Sequence, residues 1–421
     1  MSKDSRCHNV ASLSRVKTKL AARKKDKAVV CGKAGPETPR KAKSAVIHSV
    51  KPAAGSGITL SRRKTFDEIN LAARVIPAKP TMPVIGNLLF AAANGSLQVR
   101  ATNLDLELRT ACEIDSAVNF SFGVNGRKLR EIVALLPSDE FSICLDGAIL
   151  RVECGAVHYK LPIIRADQFP AAHQQPEGAF VLPPNFRELI RSVLFCVGEE
   201  ADGPAYALNG VKLEISPNGG LRAVGTDNHT LSLAETDCQT GSDIDLLLPE
   251  RTMEILIKLL DGNESCVMRY GESIVQFEAA GRVLSSRVLT SAFPDYRTVL
   301  PNYEMYATVD SVEFKEAVKR MELCSSGRNN GAYVLLRTGR IDFRTVSADN
   351  DEAEDSIPAK LTLDREIKTG LNAGYLRRFL SAAPKGEILI YFKDGKSAFD
   401  LRPGSCQWRF RHLVMPMNLG G

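Results

Sequence analysis

"VKLEISPNGGLRAVGTDN" (Val211–Asn228) reads as a β-hairpin. Val211, Leu213 and Ile215 alternate with Lys212 and Glu214, so one face of the strand is apolar and the other wet. The turn falls at Gly219. The same shape occurs twice more, as "LLFAAANGSLQVRATN" (88–103), turning at Gly95, and as "YVLLRTGRIDFRTVSADN" (333–350), turning at Gly339. A unit repeated at this spacing dictates the whole architecture.

Working outward, a helical stretch opening on Phe precedes each hairpin: "FDEINLAARVI" at Phe66, "FRELIRSVLF" at Phe186 and "FKEAVKRMEL" at Phe314. A second helix follows each: "RKLREIVALLP", "ERTMEILIKLLDG" and "AGYLRRFLSAAP", with apolar residues three to four apart. A second hairpin comes next, "FSICLDGAILRVEC", "SCVMRYGESIVQFEA" and "ILIYFKDGKSAFDLR", turning at Gly147, Gly271 and Gly395. Asp-Gly at 146–147 and 394–395 suits tight primed turns. The fold class is therefore α+β: three tandem domains, each with two helices packed on antiparallel sheets. Pro-rich joints, "FPAAHQQPEGAFVLPP" and "FPDYRTVLPNYE", separate them. The expected bounds are 57–180, 181–303 and 304–421, after a basic extension over 1–56.

That extension holds 14 Lys/Arg and 3 Asp/Glu, a net of +11. The other 365 residues hold 41 basic and 46 acidic, a net of −5, so the overall +6 hides an acidic body. Rich in Lys, Arg, Ala and Ser, the extension reads as disordered. It is open as a solvated tail, an upstream start, a nonspecific nucleic-acid arm or an organelle transit peptide. Ten cysteines are scattered without a Cys-x-x-Cys, which argues against a zinc ribbon or a thioredoxin-like site. They read as free, mostly buried thiols of a reduced, cytoplasmic protein. No apolar run approaches the ~20 residues of a membrane helix, so no membrane partner is expected.

Lys and Arg recur on equivalent helices: Arg127, Lys128 and Arg130; Arg187, Arg191, Arg251 and Lys258; Lys315, Lys319, Arg320, Arg377 and Arg378. Three units side by side would align them on one positive face. Aromatics are few among these helices, so sequence-independent duplex contact through phosphates fits better than base stacking.

The chain resembles the bacterial DNA polymerase III beta subunit, the sliding clamp. The resemblance rests on "KPTMPVIGNLLFAA" (79–92), "LNGVKLEI" (208–215), "GTDNHTLSLAE" (225–235), "FPDYRTVLP" (293–301) and "VMPM" (414–417), in order over about 57–419. It implies a head-to-tail homodimer closing a six-domain ring, with helices lining the hole around double-stranded DNA. It implies no catalysis, no cofactor and no metal. The implied partners are the DNA polymerase III alpha subunit, the clamp loader and other proteins with a clamp-binding motif. A partner-peptide pocket would lie between the second and third domains. It would comprise Leu208, Thr226, His229, Leu231, Pro294, Val299, Val414, Met415, Pro416 and Met417. Lys79 matches a loop position that contacts duplex, and Arg251 an inner-helix lysine. Ala205, Thr230, Thr298 and Asn418 stand where the family commonly has arginine, and Asn228 where it has Gly. Fewer charge-assisted bonds to partner peptides follow, which allows a divergent or specialised clamp with an altered partner set.

Asp227 and His229 pose a separate question, as a catalytic or metal pair or as turn geometry. With no nucleophile or third ligand nearby, turn geometry is expected. The rival enzyme reading, a metal-dependent nuclease, rests on "ADNDEAED" with Asp349, Asp351, Glu352, Glu354 and Asp355. Two-metal chemistry needs converging carboxylates. A run just after a strand reads instead as a solvated loop. A monomeric DNA-binding module is the third reading.

Overall fold

The computed structural model describes residues 57–198, 208–217, 220–238, 241, 243–262, 265–325, 331–346, 351–363 and 365–418. The basic extension, Ala205, Gly219 and Asp349 lie outside the described residues.

Three units follow one order of elements. The first runs β1 (Gly57–Ser61), α1 (Arg62–Ala73), β2 (Asn87–Ala93), β3 (Ser96–Thr102), β4 (Leu106–Glu113), β5 (Phe120–Asn125), α2 (Gly126–Ala134), β6 (Glu140–Asp146), β7 (Ile149–Cys154) and β8 (Val157–Arg165). The second repeats it as β9 (Gly178–Val181), α3 (Phe186–Leu194), β10 (Gly210–Ser216), β11 (Gly220–Thr226), β12 (Thr230–Thr236), β13 (Ile244–Pro249), α4 (Glu250–Leu259), β14 (Val267–Tyr270), β15 (Ile274–Ala279) and β16 (Arg282–Arg287). The third is β17 (Tyr306–Asp310), α5 (Ser311–Cys324), β18 (Gly331–Arg337), β19 (Arg340–Val346), β20 (Glu352–Pro358), β21 (Ile367–Asn372), α6 (Ala373–Ala382), β22 (Glu387–Tyr391), β23 (Phe399–Pro403) and β24 (Arg409–Val414). β9, Gly178–Val181, pairs with β14.

Side-chain caps start several of the helices, and apolar stripes direct what they bury. Asn125 Oδ1 accepts from Lys128 N at 2.9 Å, Asp310 Oδ1 from Val312 N at 2.8 Å, and Asn372 Oδ1 from Tyr375 N at 3.1 Å, satisfying donors that the first turn leaves over. Leu129, Ile132 and Val133 bury one stripe of α2, and Leu376, Phe379 and Leu380 the matching stripe of α6. On β10 the alternation is as read: Val211, Leu213 and Ile215 are buried, while Lys212 and Glu214 are half-buried.

Two turns fell differently. Gly147 sits at φ +59° in a two-residue loop closing Asp146 against Ile149, as Asp-Gly implies. Asp394-Gly395 is not such a turn. Tyr391 pairs with Asp400, and the longer loop between them is held by Asp394 Oδ1, which accepts from Lys396 N and Ser397 N. The side chain there replaces the tight backbone turn. Glu352–Asp355 of the acidic run lies in a strand, β20, rather than a loop. Glu352 and Glu354 pair with Arg344, and Asp355 with Arg320.

The strands form sheets that run across the joints. β4 pairs with β16, from Leu106–Ser286 to Arg109–Val283. β12 pairs with β24, from Thr230–Val414 to Glu235–Arg409. In both, the fourth strand of one unit takes the eighth strand of the next. The result is a 12-stranded sheet, an 8-stranded sheet and a 4-stranded sheet. Behind them the helices touch in one row, α2–α1–α4–α3–α6–α5. Besides the other strands that end each sheet, two of the fourth and eighth strands keep an unpaired edge in the chain. They are β20, paired only with β19, and Val157–Pro162 of β8, paired only with β7.

Candidate functional site: the joint between the second and third units and the helix row

Thr226–Thr230 is a turn built around one carboxylate. Asp227 Oδ1 accepts from His229 N at 3.0 Å, Thr230 N at 2.7 Å and Thr230 Oγ1 at 2.9 Å. Its Oδ2 accepts from Arg378 Nη2 at 3.1 Å. Thr226 Oγ1 donates to Thr230 O at 2.7 Å. Asn228 takes φ +70°, a conformation Asn tolerates better than other side chains with a Cβ, so it serves where Gly would. Oδ1 of Asp227 is thus spent on turn geometry, as expected, and Oδ2 on Arg378 of the third unit. Among the described residues no group of three or more His, Cys, Asp or Glu is placed to hold a metal.

The third unit closes over this turn. Arg378 Nη1 donates to Phe195 O at 2.9 Å, and its guanidinium lies 4.8 Å from the Tyr375 ring centroid. Tyr375 in turn stacks with His229 at 6.2 Å. Met415 N donates to His229 O at 3.0 Å. Beneath lies a small apolar cluster of Val224, Leu231, Leu233, Tyr296 and Leu413, with Phe293 and Leu300 against it.

The residues nominated from sequence fall into two layers. His229, Pro294, Val299 and Met415 are exposed, with 57% of Val299 and 49% of Met415 open to solvent, while Pro416 and Met417 are half-buried. Leu208, Thr226 and Leu231 are buried behind them. Val414 has no exposed surface and belongs to the third unit's core, so it supports the wall rather than lining it. Of the positions lacking arginine, Thr230 is buried, Thr298 Oγ1 donates to Asp295 O at 2.8 Å, and Asn418 is exposed. Sequence reasoning missed Tyr375, placed Arg378 on the DNA side, and passed over Arg297. The last is exposed beside Thr298 and pairs with Glu214 at 2.7 Å. The spacing of Tyr375 and Arg378, three apart on one helix, was the available signal.

Under the joint is a buried polar cluster. Ser232 Oγ lies 2.8 Å from His412 Nδ1 and 3.1 Å from Cys196 Sγ. His412 stacks on Phe379 at 5.1 Å and meets Phe195 at 5.3 Å. Burial, with Arg378 adding to it, lowers the imidazole to about 3, and burial raises the Cys196 thiol to about 12. Both groups are neutral and structural. The eight described cysteines are free, as expected, but only Cys154, Cys196 and Cys266 are buried and the other five half-buried. A cleft of about 1100 Å³ lies away from this joint, over the β18–β21 sheet, and includes Asn418 at its border.

On the helix row, seven of the twelve nominated cations have protein partners among the described residues, with Arg320 on Asp355 and Arg378 on Asp227. Arg187 pairs with Asp261 at 2.7 Å, Arg251 with Glu254 at 3.1 Å, Lys319 with Glu316 at 2.7 Å, and Arg377 with Glu322 at 2.8 Å. Arg127 Nη2 donates to Pro77 O at 2.7 Å. Lys79, Lys128, Arg191, Lys258 and Lys315 make no ion pair with described residues, and all but the half-buried Lys315 are exposed. α1 adds Arg63 and Lys64, both exposed, which the sequence reading omitted. No described helix is long and apolar enough to cross a membrane.

Three family models match in series. They are the N-terminal domain of the DNA polymerase III beta subunit over residues 57–173, its central domain over 181–295, and its C-terminal domain over 297–418. The chain is 26% identical over 379 residues to the beta sliding clamp of Streptomyces coelicolor, covering 86% of this chain and 100% of the relative. It is 26% identical over 368 residues to the beta sliding clamp of Proteus mirabilis, with 86% and 99% covered. A solved sliding clamp from Pseudomonas aeruginosa bound to griselimycin superposes with a TM-score of 0.79 at 25% identity, covering 86% and 99%.

Proposed function

This chain belongs to the DNA polymerase III beta subunit family, and on that premise we propose that two copies close head to tail into a ring around duplex DNA. It is a DNA sliding clamp, a non-catalytic processivity factor, with DNA and polymerase as partners. A tether of this kind raises effective concentration, so that the polymerase rebinds before it diffuses away.

The observation that carries the ring is the repeated joint. Inside the chain the fourth strand of each unit takes the eighth strand of the next, twice. β20 and β8 are the remaining fourth and eighth strands; β20 has an open edge, and so does β8 along Val157–Pro162. Unpaired edges invite another chain. Their charges are complementary: Glu352 and Glu354 on β20 against Lys160 on β8, all exposed. The helices agree. Leu323, at the end of α5, is 84% exposed, whereas its repeat equivalents are covered, Val75 by burial and Phe195 by the third unit's core. Leu135, at the end of α2, is 78% exposed. α2 and α5 are the two ends of the helix row, so a second copy would cover both. A heterologous contact that closes gives a ring; one that does not gives fibres. Light scattering tests this: the expected mass is twice 45.9 kDa, and a monomer at micromolar concentration contradicts it.

The same reading makes the joint of the second and third units a partner-peptide pocket. Exposed Val299 and Met415 over buried Leu231 and Leu208 offer an adaptable apolar wall for a short linear segment. The polymerase alpha subunit, the clamp loader and other proteins with a clamp-binding motif are the proposed occupants. The unpaired Lys79, Lys128, Arg191, Lys258 and Lys315 are the proposed phosphate contacts. We place the protein in the cytoplasm, beside the chromosome it serves.

A further inference from the structure

Both internal joints carry the same device. At the first, Arg251 near the start of α4 donates through Nη2 to the carbonyl of Arg74, the C-cap residue of α1, at 2.6 Å. At the second, Arg378 on α6 donates through Nη1 to the carbonyl of Phe195, the C-cap residue of α3, at 2.9 Å. Each time, a guanidinium from the second helix of one unit caps the first helix of the unit before it. The site suits a cation. The last turn of a helix leaves carbonyls without intrahelical partners, and they gather the negative end of its dipole. Each arginine also holds a carboxylate, Glu254 in the one case and Asp227 in the other, so a single fork serves two acceptors.

The two arginines stand at the second and sixth positions of their helices, counted from Glu250 and Ala373. Four residues apart is one helix face. The second position of α2, counted from Gly126, is Arg127. α2 has no preceding unit in the chain. α5 has no following one, and among the described residues no arginine side chain caps its last turn, Leu323 to Ser325.

We infer that Arg127 of one copy caps the C-terminus of α5 in a second copy, bolting the ring shut as Arg251 and Arg378 bolt the internal joints. This rests on the head-to-tail ring proposed above. Arg127 is exposed and donates one bond to Pro77 O, which leaves most of its five donors free. It also moves Arg127 from the DNA-facing set to the closure of the ring, beside the exposed Leu323.

The test is the dimer dissociation constant of the full chain, by sedimentation equilibrium, for Arg127→Lys, Arg127→Ala and Arg127→Glu, with Lys128→Ala as the neighbouring control. Loss of a charge-assisted bond should raise the constant about tenfold or more in Arg127→Ala. Arg127→Lys should fall between wild type and Ala, because the charge stays but the fork is lost. Arg127→Glu should be weakest, since a carboxylate faces the negative helix end. Lys128→Ala should match wild type. General damage to the fold would not order the series by charge. A wild-type dimer indifferent to all three substitutions, or one as weak with Lys as with Glu, overturns the bolt alone. A wild-type chain that stays monomeric overturns the ring and the bolt with it.

Discussion

Acid should open the joint between the second and third units through one residue, His412. Its imidazole is fully buried, stacked on Phe379 and tilted against Phe195, with Ser232 and Cys196 on its Nδ1 side and the Arg378 cation nearby. Burial lowers it from 6.5 to about 3. The unfolded chain therefore binds a proton between those values that the folded chain refuses. Stability from this group is complete above pH 6.5 and is lost as pH falls toward 3. At about 1.36 kcal/mol per pH unit, roughly 2 kcal/mol is gone by pH 5 and about 3 by pH 4. The chain's single tryptophan, Trp408, reports on this joint, because it packs against the cores on both sides and its Nε1 donates to Ser192 Oγ at 3.1 Å. Urea unfolding followed by Trp408 fluorescence at pH 7, 5 and 4 is the assay, with His412→Gln as the reference. The variant starts less stable but lacks the proton linkage, so the gap to wild type should narrow by about 2 kcal/mol between pH 7 and 5. Parallel curves would refute the reasoning and mean that the imidazole is solvated.

Leu323→Asp should leave a folded monomer at concentrations where wild type is a dimer, as read by light scattering, because it sets a charge on the most exposed apolar side chain of α5. Asp227→Ala removes the acceptor for four bonds and should abolish binding of an apolar clamp-motif peptide in a fluorescence titration while the dimer persists. Retained affinity would place the partner site elsewhere. Deleting residues 1–56 removes a net +11 and should weaken nonspecific DNA binding steeply at low salt. A large fall in thermal midpoint on the same deletion would count against the reading of 1–56 as separate from the fold.

The repeat was legible because periodicity is a local property. Apolar spacing alone located six helices and the paired hairpins, and Val211, Leu213 and Ile215 turned inward as their alternation requires. Local chemistry misled where a side chain could replace a backbone turn, as Asp394 does. It also misled where an acidic run gained partners from a neighbouring strand, as Glu354 did from Arg344. Seven of the twelve nominated helix cations are tied to carboxylates or carbonyls among the described residues, and no count of charges along a helix reveals that. The joints were the least legible part. Arg378 meets Phe195 O across 183 residues of chain, and His412 meets Cys196 across 216. Such contacts come from how units stack, which single-chain spacing does not encode.

The central claim is topological, and DNA topology tests it most directly. The chain is bound to a closed circular plasmid, washed in high salt to strip contacts held by charge alone, and the plasmid is then cut once. A ring that encircles duplex without base contacts is predicted to stay on the circle through the wash and to leave from the ends after the cut. Loss during the wash, or retention on the cut DNA equal to that on the circle, would contradict the account.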